Sequence, residues 1–414
     1  NSLSYEATKD CDRVVRVLLI ESNIIMSQGF VYNLFMTTDE KFKLITRNLE
    51  ETLTEDELKS LIESDTPLRH YIGFEISGKV HLGHGLAVMQ KVKELHDAGA
   101  EIIIFLADWH TWINKKLDGT LQTASRLARD YFEEALKAGY MCVGGEPNDL
   151  KFYLGSDLYD KTYWPKVVSV AKATTISRMM RSTDIMGRMS GDSSDTSTLF
   201  YPAMQAADIF QMGINIAHAG TDQRNVHIVA RDAAKDLGLG KPVAIHNHLI
   251  MGLKPLGESN DPELAKKASN ASELSYEEKA SLITALKMSK SKPDTAVFIT
   301  DSPEDIKKKV NNAYAPEGEV TFNPILDWTK HLIFYNEGAT LTIKRDEKWG
   351  GSLTYSSYED LEKDYEQKKL HPMDLKASVA DWLVAKLEPA RKYFEDPKRK
   401  AALEEIEILT TNKA

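Results

Sequence analysis

Tyr71-Ile72-Gly73-Phe74-Glu75-Ile76-Ser77-Gly78-Lys79-Val80-His81-Leu82-Gly83-His84 decides the fold. Residues 71–75 read as a buried strand. Beyond Gly78, Leu82, Leu86, Met89, Val92 and Leu95 recur at helical spacing until Gly99 stops the pattern. Ile102-Ile103-Ile104-Phe105-Leu106-Ala107 follows, an uninterrupted apolar run suited to a parallel sheet covered on both faces. Strand, glycine-containing turn, helix, strand is a βαβ unit.

Working outward, residues 121–139 give another amphipathic helix and 151–154 a further strand. Residues 202–212 and 223–237 read as helices, and 242–245 as a strand. The pattern predicts an α/β fold, a doubly wound parallel sheet, over about 71–253. Leu58, Leu61 and Ile62 mark a short amphipathic helix that leads into it. Residues 161–198 are polar and rich in Ser, Thr, Arg and Met, and read as an insertion that forms no core. Residues 254–286 carry many charges and few large apolar side chains, as a mobile surface linker would. From Ser302 the spacing of Ile306, Val310 and Ala313 turns helical, and it stays so through 361–370 and 375–394. The expected organisation is a catalytic domain at 36–297 and a mostly helical domain at 298–414. Met36, followed by Thr37-Thr38-Asp39-Glu40, reads like a natural start, which makes residues 1–35 an upstream extension.

A net charge of −10 argues against a chain coated in basic residues for non-specific nucleic-acid binding, although a local basic face stays open. No apolar run reaches membrane-spanning length. Cys11 and Cys142, the only cysteines, stand too far apart for a disulfide framework and fit a reducing, cytoplasmic setting.

Two short segments carry chemistry. His81 and His84 sit in the turn after the first strand, where parallel sheets bind ligands and helix N-termini favour phosphate. At i and i+3 they share a face of the first helical turn and can donate to phosphoryl oxygens as charge develops. Gly83 leaves room for a nucleotide to approach. Taken alone, the pair reads equally well as two surface histidines; zinc is disfavoured because no Cys or Glu at ligand spacing completes a site. The second segment is Lys287-Met288-Ser289-Lys290-Ser291. Two lysines with serine hydroxyls between and beside them suit a pyrophosphate leaving group, and a loop can close on ATP and reopen. Alone, it reads as an exposed basic loop.

Together and in this order, the two segments resemble the paired signature of class I aminoacyl-tRNA synthetases. Four stretches resemble the tyrosyl enzymes of archaea and eukaryotes in particular: 71–84, Tyr201-Pro-Ala-Met-Gln-Ala-Ala-Asp208, Gly220-Thr-Asp-Gln-Arg224 and His371-Pro-Met-Asp-Leu-Lys376. The resemblance runs from about Thr54 to Phe394, except the linker, which is longer here than is common in the family. It implies ATP-dependent activation of L-tyrosine and its transfer to tRNA(Tyr). His81, His84, Lys287 and Lys290 would act on the transition state. Gly73, Gly83, Asp222, Ser289 and Ser291 would bind ATP. Tyr71 and Asp208 would hold the phenol hydroxyl, and Tyr201, Gln205 and Gln223 the α-amino end. Asp108 and His110 would line the same pocket. Mg²⁺ would arrive with ATP, with no permanent cofactor and no dedicated metal site.

In the helical domain, Trp349, which precedes Gly350-Gly351, would stack on the first anticodon base with His371 and Asp374 beside it. The insertion builds a dimer interface in the family, so Met179, Met180, Ile185 and Met186 would supply apolar contact in a homodimer. Lys166, Lys172, Arg178, Arg181 and Arg188 would face the acceptor stem, or would simply be solvated. Each role has a plainer reading: Asp208 could pair with an arginine, Tyr71 and Trp349 could be packing residues, and Asp108 and His110 ordinary loop polar groups. His227, His246 and His248 read as structural. The tryptophanyl enzymes share fold and loops, but an indole has no hydroxyl to satisfy Asp208 and Tyr71. A nucleotidyltransferase using the histidine turn alone would not need the helical domain. An RNA-binding or signalling paralogue without catalysis is disfavoured by the intact motifs.

Overall fold

The computed structural model of the chain describes residues 36–64, 66–182, 195–254, 278, 282, 284–288 and 295–411. A six-stranded sheet lies at its centre, in the order β1-β6-β5-β2-β3-β4. The strands are β1 (Leu49–Leu53), β2 (Arg69–Phe74), β3 (Glu101–Leu106), β4 (Leu150–Leu154), β5 (Ile216–Gly220) and β6 (Val243–Asn247). β2 to β6 are parallel, and β1 pairs antiparallel with β6 at the edge. The chain starts its parallel sheet in the middle at β2, grows outward to β4, then returns to the other side of β2 with β5. This is the doubly wound arrangement, and its order reverses between β2 and β5.

Local rules explain many of the elements. The helix Glu55–Glu63 starts at a capping box in which the Thr54 hydroxyl accepts from Glu57 N–H and Glu57 reaches back. Pro303 and Pro372 occupy first helical positions behind Ser302 and His371, whose side chains cap the helix ends. β3 is buried along nearly its whole length, as its apolar run requires. After the histidine turn the chain coils as a wide turn over Gly83–Val88 before the helix Met89–Asp97. Here glycine is needed for contact. A Cβ on Gly139 would lie 2.5 Å from the Gly85 carbonyl oxygen, so the two backbones meet where no side chain fits.

Several elements lie outside the sequence expectation, β1 among them. β5 is Ile-Ala-His-Ala-Gly, too weak in strand formers to announce itself. It is a strand because it is enclosed between β2 and β6, and its His218 is satisfied by His70 and Asn247 at 3.0 and 2.9 Å. A hairpin of β7 (Leu341–Ile343) and β8 (Leu353–Tyr355) interrupts the helical C-terminal part, and a last helix follows at Pro397–Thr411. The insertion also contributes to the core. Its helix Tyr163–Lys172 buries Tyr163, Val167 and Val170 against the helix Phe200–Gln211. A polar composition concealed this, because one apolar stripe at helical spacing is enough to pack.

Two apolar clusters flank the sheet. One of them runs without a break from Leu58 through Val80 and Ile299 to Leu383 and Ile406, so the helical part shares a core with the sheet. Polar ties cross the same junction. Lys79 pairs with Glu407 at 2.6 Å, Glu134 accepts from Tyr393 and Arg399, and the Trp328 indole N–H donates to the Met251 carbonyl at 2.8 Å.

Candidate active site

The reversal of strand order opens a crevice beyond the carboxyl ends of β2 and β5, where such sheets bind ligands. At its floor is Asp208, on the helix Phe200–Gln211 and 1% exposed. Tyr163 donates to its Oδ1 at 2.8 Å. Its Oδ2 has no hydrogen-bond partner among the described residues, and His110 Nε2 stands 3.7 Å away. Burial drives the Asp208 carboxyl up to about 8, against the Tyr163 and Tyr159 hydroxyls, which favour the charged form. An oxygen buried with a lone pair unused costs free energy until a donor reaches it. Tyr71, on β2, is also buried, and its hydroxyl is pushed well above the usual phenol range by burial and by Asp208. The Tyr71 ring folds over Gly73. A Cβ at Gly73 would stand 2.6 Å from the Tyr71 hydroxyl, so only glycine permits that pose.

Toward the mouth, Tyr201 OH donates to Glu75 at 3.2 Å, and Asn114 donates to the same oxygen at 2.9 Å. Gln205 donates to the Gln223 side-chain oxygen at 3.2 Å. His110 packs its ring edge-on to Tyr201 at 4.5 Å, and burial depresses its pKa to about 3, so it is neutral. The crevice thus grades from an acid on the floor to amides and a carboxylate at the opening.

The two signature segments meet beside it. His81 and His84 stack at 4.3 Å, and His84 also packs edge-on against Phe74. Gly83 N–H donates to His81 Nδ1 at 3.1 Å, which leaves the proton of the neutral ring on Nε2. A Cβ at Gly83 would stand 2.9 Å from that ring, a second reason for glycine here. The turn is laced to the chain beyond the lysine segment. His81 faces Phe298 in an antiparallel bridge, with bonds from Leu82 N–H to the Val297 carbonyl and from Ile299 N–H to the Val80 carbonyl. Lys287 faces Met251 in a second bridge, and its ammonium lies 2.5 Å from Asp222 just past β5. Cation and carboxylate thus hold each other beside the crevice. Ser289, Lys290 and Ser291 lie outside the described residues.

The pattern of the tRNA synthetases class I (W and Y) matches residues 63–388. The chain is 46% identical over 371 residues to the tyrosine–tRNA ligase of Thermococcus sibiricus, which covers 87% of this chain and 96% of that one. It is 45% identical to the Thermococcus kodakarensis tyrosine–tRNA ligase, with 90% of this chain and 100% of that one covered. Among solved structures, the tyrosyl-tRNA synthetase of Pyrococcus horikoshii complexed with L-tyrosine superposes with a TM-score of 0.82 at 42% identity, covering 90% of this chain and 100% of that one. This chain is a class I tRNA synthetase of the W and Y family. Enzymes of this family use ATP.

In this synthetase, sequence reasoning missed Tyr159 and Tyr163, whose rings stack at 3.8 Å beside Asp208. The signal was present: Tyr159 and Tyr163 fall one helical turn apart and lead into Val167 and Val170. Glu75 and Asn114, which position Tyr201, were missed too. Asp108 has a different task from the one expected. Fully buried, it accepts from Trp109 N–H, Ser156 N–H and the hydroxyls of Ser125 and Ser156, and so ties the ends of β3 and β4 together.

Farther out, Trp349 is 70% exposed in the turn between β7 and β8. Arg345 donates to the Gly351 carbonyl and to the Lys369 carbonyl, which holds that turn beside the segment leading to His371 and Asp374. On the insertion, Lys166 donates to Gln211 and Arg178 pairs with Asp232. Met179 is buried and Met180 is exposed. Arg188, Ile185 and Met186 lie outside the described residues. No described helix is long and apolar enough to cross a membrane.

Proposed function

We propose that this synthetase activates L-tyrosine with ATP to tyrosyl-adenylate and pyrophosphate, then transfers the tyrosyl group to the 3′ end of tRNA(Tyr). The observation that carries this reading is the Asp208 Oδ2, buried and unpartnered, next to the Tyr71 hydroxyl. A phenol hydroxyl entering there can donate to the oxygen and accept from Tyr71 at once; phenylalanine can do neither, and an indole N–H can only donate. Tyr201, Gln205 and Gln223 would hold the amino end. The tyrosine carboxylate then attacks the α-phosphate in line, with His81, His84, Lys287 and Lys290 spreading the charge that develops. Gly73, Gly83, Asp222, Ser289 and Ser291 would seat the nucleotide, and Mg²⁺ would be held mainly by its phosphates. The exposed apolar residues Ile176 and Met180 of the insertion, with Leu199 and Phe200 just after it, support a homodimer formed through the insertion. A cytoplasmic setting goes with this function. The test is ATP–pyrophosphate exchange with each amino acid in turn. Exchange above background with tyrosine alone is expected; equal exchange with tryptophan would overturn the assignment.

The C-terminal part supplies a second expectation. Trp349→Ala and Asp374→Ala should weaken aminoacylation, the former by the ~1–3 kcal/mol of one stacked base. Both should leave tyrosine-dependent exchange intact, because exchange needs no tRNA. Equal damage in the two assays would assign these residues to the fold and remove them from the anticodon.

A further inference from the structure

Just past the end of β6, His248, Asp327 and His331 converge. His248 follows β6. Asp327 belongs to the helix Pro324–Trp328 and His331 to the wide turn Thr329–Ile333 that continues it. Their spacing of four residues sets both on one side of the coil. His248 Nε2 lies 2.6 Å from Asp327 Oδ1, and His331 Nε2 is 4.0 Å from the same oxygen, too far for a hydrogen bond. The two imidazoles lie face to face at 3.8 Å and 10°. Among the described residues this is the one group of three such side chains whose ligand atoms all fall within 4.8 Å.

We propose that these three side chains form a site for a divalent transition-metal ion, zinc being the ion that suits the donor set. Two imidazole nitrogens and one carboxylate oxygen are a recurrent protein ligand set for zinc, and they fit Mg²⁺ or Ca²⁺ poorly. Bonds of about 2.0–2.2 Å in a tetrahedral arrangement put ligand atoms roughly 3.3–3.5 Å apart. The His248–Asp327 and His331–Asp327 spacings bracket that value, and because the rings now lie parallel the His331 ring must turn to aim its in-plane Nε2 lone pair at an ion shared with His248. The surroundings complete the case. His248 Nδ1 is 2.9 Å from Glu50 Oε1, the carboxylate–imidazole arrangement that orients a metal-bound histidine. Asp327 Oδ2 accepts from Met251 N–H at 2.9 Å, which fixes the carboxylate and aims its other oxygen at the rings. The group is only partly covered, with the His248 and His331 side chains 15% and 22% exposed, so water can enter and occupy the fourth position. On binding, the ion takes the place of the proton now held between His248 and Asp327, which leaves to solvent.

The site joins two parts of the molecule. His248 and Met251 bracket Ile250, whose carbonyl accepts from Met288 in the lysine segment, while Asp327 and His331 belong to the C-terminal part. A bound ion would fasten the base of that segment to the helices behind it.

The test uses the full chain freed of metal by dialysis against a chelator, then titrated with ZnCl₂ by calorimetry. One tight zinc per chain is expected, with the melting temperature rising by roughly 3–6 °C at saturating metal. His331→Ala, which leaves the His248–Asp327 pair intact, should weaken binding at least about 100-fold. Glu50→Gln leaves all three ligands in place, alters only the carboxylate that orients His248, and should weaken it about 10- to 100-fold. Far-UV circular dichroism of each variant establishes that it is folded, and if His331→Ala is not, Glu50→Gln decides alone. Wild-type affinity no tighter than millimolar, or tight binding that survives both substitutions, would overturn the proposal.

Discussion

Asp208→Ala is expected to erase most of the enzyme's preference for tyrosine over phenylalanine. The two substrates differ by one hydroxyl, and an apolar pocket would barely distinguish them. When phenylalanine enters the wild-type crevice, Asp208 and Tyr71 both stay buried without the partner that tyrosine supplies. Each such group costs about 1–3 kcal/mol, so the pair should discriminate by roughly 10²- to 10⁴-fold. Removing the carboxyl removes one of these two terms, a loss of roughly 5- to 150-fold in the ratio of the two kcat/KM values. The fold should survive, because the Tyr163 hydroxyl has the Met204 carbonyl at 3.2 Å as a second acceptor. The measurement is pyrophosphate exchange with each amino acid, for wild type and variant. Ratios that agree within a few fold would mean that Asp208 does not read the hydroxyl.

His84→Ala should slow tyrosine activation by roughly 10- to 1,000-fold, the scale for losing one donor to a transition state. Tyrosine affinity should barely move, since the ring packs on His81 and Phe74 and its proposed role is on the phosphates. The ring also stacks on His81, so part of the loss would come from His81 losing its support. His81 keeps its bond from Gly83, which limits that share. Single-turnover formation of tyrosyl-adenylate separates the two quantities. A tyrosine Kd that rises as steeply as the rate falls would place His84 in binding and outside the chemistry.

Much of this site could be read from the sequence because its parts are local. A strand, a glycine turn and a helix with two histidines at its head form a single stretch, and β3 is a plain apolar run. The helix carrying Asp208 was equally legible, because an acid among Ala203, Ala206 and Ala207 needs a reason. What stayed hidden depends on contacts between distant residues. β5 has the composition of a loop and is a strand only through its neighbours. Tyr163 sits in a polar insertion, and only the packed helix reveals that it meets Asp208. The Lys287–Asp222 pair was unreadable for the same reason, because each residue was matched to the nucleotide separately. His248 looked structural because its partners, Asp327 and His331, come from a different part of the chain.

The bridge between His81 and Phe298 also sets a timetable for synthesis. The histidine turn leaves the ribosome early, but the strip that laces it in place, Val297 to Ile299, is made much later. At about 5–20 residues per second the interval is roughly 10–40 s, far longer than a helix or a collapsed core needs to form. The sheet is complete only once β6 has been made at Asn247, so for roughly the last 3–10 s of that interval the growing chain can hold the whole sheet while the histidine turn lacks its anchor. Fragments released before Val297 would therefore lack the strip that holds the histidine turn in place.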